Sequence, residues 1–101
     1  MLATILLTAG AMTAAVSLVI ETRTPSVCAA LGVMAASGYE SLTRNIPRAS
    51  AEEIFLMRAR EHGVHDHMLE RVRMAVRLGY ASRSAPSAEQ RAIELCLGGR
   101  L

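Results

Sequence analysis

The chain contains no lysine and no tryptophan, and only three aromatic residues: Tyr39, Phe55 and Tyr80. It has no charge of either sign in residues 1–20. The aromatic deficit argues against a sheet, because strands draw on aromatic and β-branched side chains. The apolar mass, 51% of the chain, is carried mainly by Ala, Leu, Val and Met, which favour helices. All 11 basic residues are arginine, the signature of a GC-rich genome such as that of a bacterium or a phage. The net charge of +2 is too small to imply nucleic acid by itself. Only two cysteines are present, Cys28 and Cys96, each in an apolar helical stretch. With no CxxC spacing, a zinc knuckle or dithiol redox motif is excluded, and both are expected to be buried free thiols.

Residues 1–20, MLATILLTAGAMTAAVSLVI, are the most apolar stretch. Their mean hydropathy is roughly +2, in the range of membrane-spanning helices. Twenty helical residues rise about 30 Å, the thickness of the hydrocarbon layer. The absence of a basic residue before this run counts against a cleaved leader. A break follows at residues 21–25, where Thr24 is placed to cap a new helix with Pro25 in its first turn. Small residues recur on one face of each segment: Ala11 and Ala15 with Thr4 and Thr8 in the first, Gly32 and Ala36 with Ala29 in the second. Such faces let helix backbones approach closely, which drives association in lipid. Residues 1–43 are therefore expected to form a membrane-embedded helical hairpin. The rival reading is a hairpin buried in a soluble bundle, with the chain in the cytoplasm. Arginine bias after the second segment places the C-terminal part on the cytoplasmic side of the inner membrane.

Residues 44–49 read as a linker and residues 50–101 as a small three-helix charged region. Ser50 with Glu53, and Ser87 with Gln90, have the spacing of capping boxes. Gly63, Gly79 and the Gly98–Gly99 pair are placed to end helices. Val64, Met68, Val72, Ala75 and Leu78 or Gly79 form an apolar stripe, and Ile93, Cys96 and Leu97 another.

His62, Asp66 and His67 resemble part of the H-x-H-x-D-H motif of the metallo-β-lactamase fold. Val64 stands where its second histidine belongs, and the bland reading is a polar helix start. No metal and no cofactor are expected. No nucleophile-elbow or phosphate-loop motif occurs, so the chain reads as non-enzymatic. Ala59, Gly63, Val64, Leu69 and Val72 resemble the small residue, turn glycine and apolar contacts of helix-turn-helix DNA-binding proteins. That resemblance covers about 20 residues and departs at Arg58 and His62. It implies a recognition helix presenting His65, Asp66, His67, Glu70 and Arg71, two of them acids that phosphates disfavour. The segments Leu69–Val72 and Leu78–Ser84 resemble the helix junction of ribbon-helix-helix repressors, which also need an alternating strand that Ile54–Met57 does not supply.

The layout is similar to that of phage holins and exclusion proteins. It implies a small membrane-associated protein that self-associates or binds another protein, with lipid as a further contact. The alternative is a soluble helical regulator binding DNA or protein. Arg58, Arg60, His65, His67, Arg71, Arg73 and Arg77 are the expected contact residues in either case.

Overall fold

The computed structural model describes residues 23–101, and these form four helices with no strand among them. They are α1 (Pro25–Thr43), α2 (Arg48–Glu61), α3 (Asp66–Tyr80) and α4 (Ala85–Leu97). The all-helical class read from composition is what the described residues adopt. The first arm of the expected hairpin, with Ala11 and Ala15, lies outside the described residues.

Local chemistry sets the helix ends. Thr24 caps α1, its hydroxyl accepting from the Val27 amide at 3.2 Å, with Pro25 following as expected. Three helices close in the same way, with a left-handed residue and a six-to-one backbone bond. These are Asn45 (φ 61) with Ile46 N–H to Ser41 O, Gly63 (φ 78) with Val64 N–H to Ala59 O, and Gly99 (φ 77) with Arg100 N–H to Leu95 O. Both expected capping boxes fall elsewhere. Helix α2 begins at Arg48 after Pro47, without a side-chain cap, so Ser50 lies inside it. Helix α4 is capped by Ser84, whose hydroxyl accepts from the Ser87 amide at 3.1 Å. In α4 the proline sits in the first turn, and in α2 Pro47 is the N-cap itself; both starts lie upstream of the serine.

Helix α1 is the centre of the bundle and packs most extensively on α3 and α4. It runs antiparallel to α4, with Cys28 beside Cys96 and Gly32 beside Ile93 and Glu89. Of the small-residue face expected on this helix, Gly32 is buried against α4 while Ala29 is exposed. A methyl on Gly32 would lie 2.8 Å from Ile93 Cγ1, and one on Gly38 2.7 Å from the Val76 carbonyl oxygen. A methyl on Gly79 would strike the Ala35 carbonyl. Ala36 is half-buried at the margin of this face. Among the described residues no helix is long and apolar enough to cross a membrane, which removes α1 as a second span.

The core consists of Leu31, Ala35, Leu56, Ala59, Leu69, Val72, Ala75, Ala88 and Ala92 with the two cysteines. The stripe on α3 runs through Leu69, Val72, Ala75, Val76 and Gly79, with Val64 and Met68 half-buried at its edge. Leu97, expected to face inward, is 55% exposed because it follows the last buried turn of α4.

The cysteines are not free thiols. Cys28 and Cys96 form a disulfide across 68 residues of sequence, with Cα atoms 5.4 Å apart and neither residue exposed. Two apolar stretches each carrying one cysteine give no sequence signal of pairing; the antiparallel register of α1 and α4 does.

Candidate functional site

Helix α2 joins two polar features. Its inner face carries Glu52, the one buried charged residue among those described. Three arginines from two helices converge on that carboxylate. Arg77 Nε donates to Oε1 at 2.8 Å, Arg73 Nε lies 3.6 Å from Oε1, and Arg48 Nε lies 3.3 Å from Oε2. Arg73 also reaches Glu70 Oε2 at 2.9 Å. A buried carboxylate is costly unless paired, and here the pairing clamps α2 to α3. Beside it, the Tyr80 hydroxyl donates to the Ile46 carbonyl at 2.5 Å and ties α3 to the α1–α2 connection. Burial, and secondarily the negative charge of Glu52, push the Tyr80 phenol above its ordinary range.

A neighbouring face of α2 and the C-terminal end of α1 line a cleft of about 270 Å³. Ala51, Phe55, Ile46 and Ile54 give it an apolar floor; Ser37, Ser41, Glu40, Arg44 and Arg58 rim it. Glu40 and Arg44 stand four residues apart on one helix, yet neither they nor Arg58 form an ion pair among the described residues. The cleft thus holds three unneutralised charges over an apolar surface. The volume falls just below the usual range of roughly 300–1,000 Å³ for a small-ligand site.

The expected contact residues separate into two groups. Arg58 lines the cleft, and Arg60 is exposed on the neighbouring flank with Glu53, Met57 and Arg73. His65 and His67 are exposed at the start of α3 with rings stacked 5.6 Å apart. Arg73 and Arg77 serve the Glu52 clamp. Arg71 turns inward. Its Nε donates to the Leu101 carbonyl at 2.9 Å, and its Nη atoms lie 3.2 Å from Met68 Sδ and Cys96 Sγ. Burial, and then the nearby Arg23, lower its affinity for the proton without discharging it.

Sequence reasoning missed Glu52 and the cleft. Glu52 sits inside a pattern that reads as a capping box, where its neighbour Glu53 was the residue of interest; Glu53 is exposed. Nothing in the sequence brings Glu40 and Arg44 to Arg58, because the turn through Asn45 does so.

The geometry bears on two family resemblances. Ile54–Met57 is helical, so the strand required by ribbon-helix-helix proteins is not there. Ala59, Leu69 and Val72 are buried around the turn at Gly63. The implied recognition face, however, has Arg71 half-buried against Leu101 and Cys96 and retains only His65, Asp66, His67 and Glu70 exposed. The partial metal motif is not gathered either: no group of three or more metal-capable side chains occurs among the described residues. Comparison with known proteins gives no matching family model, no matching curated protein and no matching solved structure.

Proposed function

We propose that this is a small, non-enzymatic, membrane-associated protein whose disulfide-closed helical domain works outside the reducing cytoplasm and acts by binding through the α1–α2 cleft. The observation that carries the location is the Cys28–Cys96 bond in the centre of the fold. Disulfides persist in oxidising compartments and are rare in the cytosol.

This reading reverses the orientation expected from arginine bias. That bias counts basic residues within about 15–20 positions of a span. With α1 excluded as a span, the only uncharged run left to meet a bilayer is residues 1–20. Close to it lie only Glu21 and Arg23, which offset each other. Arg44 and the arginines beyond belong to a folded domain, and folded domains cross membranes largely regardless of charge.

The binding role rests on charge that the fold leaves unused. Glu52 engages Arg48, Arg73 and Arg77, and the Leu101 carbonyl engages Arg71. Arg44 and Arg58 take part in neither and line one cleft together. DNA reading by α3 is the weaker alternative, since its exposed start carries two acids and no arginine.

Two measurements test the proposal. Protein quenched with acid in its native host and treated with a maleimide-polyethylene glycol should gain no adduct before reduction and two after it; two adducts without reductant would overturn the location. Full-length protein that stays in the supernatant without detergent would overturn the membrane association.

A further inference from the structure

We infer that the α1–α2 cleft binds a small zwitterion with an apolar body, of the class of an apolar α-amino acid. This deepens the binding role proposed above and rests on it, but it does not depend on the compartment. The argument is one of complementarity. A site for a simple anion would exclude Glu40, and a site for an apolar molecule would need no charge at all. This cleft is lined by two arginines, Arg44 and Arg58, and one glutamate, Glu40, beside apolar residues that include Phe55 and Ile46. None of the three charges is neutralised by another described side chain. A ligand carboxylate matches the arginines, whose planar forks suit it. A ligand ammonium matches Glu40, and an aliphatic side chain covers the floor. A volume of about 270 Å³ holds one such molecule and not a peptide of several residues.

The proposal is read by titrating the full-length protein, in a zwitterion-free nonionic detergent, with four probes: leucine, N-acetylleucine, leucinamide and glycine. Leucine should bind saturably. N-acetylleucine, which lacks the ammonium, should bind at least fivefold more weakly. Leucinamide, without the carboxylate, and glycine, without the apolar body, should show no saturable binding. Arg44→Ala and Arg58→Ala should each weaken leucine at least tenfold with an unchanged unfolding midpoint, because neither side chain supports the fold. Glu40→Gln should weaken leucine while leaving N-acetylleucine no weaker than before, a difference that a merely structural role would not produce. No saturable leucine binding up to about 10 mM, or equal binding by the arginine variants, would overturn the assignment. Equal binding of leucine and N-acetylleucine would overturn the zwitterion and with it the role of Glu40. Adduct counts from the thiol assay are independent of all these outcomes, so failure here is distinguishable from failure of the location.

Discussion

Glu52 shows how much one side chain can hold in a chain with so few large apolar residues. Its carboxylate is buried, while the arginines that meet it remain a third to more than half exposed. Solvent screens such pairs, so the clamp is worth less than a fully buried ion pair. Removing the carboxylate still leaves three cations converging on one another. Glu52→Ala should therefore cost about 2 kcal/mol, seen as a lower urea midpoint with an unchanged slope. Glycine substitutions separate two kinds of constraint. Gly79 meets the Ala35 carbonyl and the Tyr39 amide across the α1–α3 crossing, and a methyl there has nowhere to go. Gly79→Ala should cost about 3 kcal/mol through overpacking. Gly63 has open space around it but φ +78, so Gly63→Ala should cost only about 1 kcal/mol, from backbone conformation alone. Equal costs at the two positions would mean that the close crossing is not as described. Tyr80 adds a dependence on pH. Its neutral hydroxyl donates to Ile46 O, and its folded-state affinity for the proton is raised. Its contribution is therefore complete below the ordinary phenol value of about 10 and is lost as pH rises through the higher folded value. Tyr80→Phe should abolish that alkaline loss of stability, together with the last phase of tyrosinate absorbance.

At the scale of elements, helix ends give the sharpest test of how the sequence is read. Ser84→Ala should destabilise the domain by about 1 kcal/mol, because its hydroxyl satisfies the Ser87 amide. Ser87→Ala and Ser50→Ala, which the capping-box spacing would mark as damaging, should change the unfolding midpoint little. The sequence pattern did reveal the Thr24–Pro25 start of α1, the Gly63 turn and the glycine stop after Leu97, since each depends on residues within one turn of one another. It misplaced the starts of α2 and α4 because a serine three residues before Glu or Gln is a local rule. Pro47 and Pro86, lying just upstream of those motifs, favour an earlier start. On α1, Gly32 was legible as a close-packing position but not its partner, while Ala29 of the same expected face is exposed. A row of Gly and Ala serves a lipid-embedded helix pair and a central bundle helix equally well. The partners of the α1 glycines and of Ala35 are Ile93, Val76 and Gly79, which lie about 40 to 60 positions away in sequence.

For the whole molecule, the long-range bond decides both stability and setting. The domain is short, its core is rich in alanine, and its largest wholly buried side chains are Val72, Val76 and the two cysteines. A core of that kind buries little apolar area per residue, and small domains with thin cores depend on cross-links. The Cys28–Cys96 bond closes 68 residues of chain, nearly all of the described domain. In the chain-entropy account a loop of that length is worth about 4 kcal/mol. This exceeds the expected contribution of the Glu52 clamp or any single cap. A Cys28→Ala/Cys96→Ala double variant should therefore lose much of its helical circular dichroism signal at 37 °C, and the wild type should do the same in excess reductant. The variant also removes sulfur from beside Arg71 Nη, so Arg71→Met serves as the control: it changes that contact while keeping the bond. If the double variant and Arg71→Met unfold at the same midpoint, the stabilisation comes from the packing of Arg71. If only the double variant falls, the cross-link holds α1 against α4. The cleft at the far end of α1 would then keep its shape only where the thiols are oxidised.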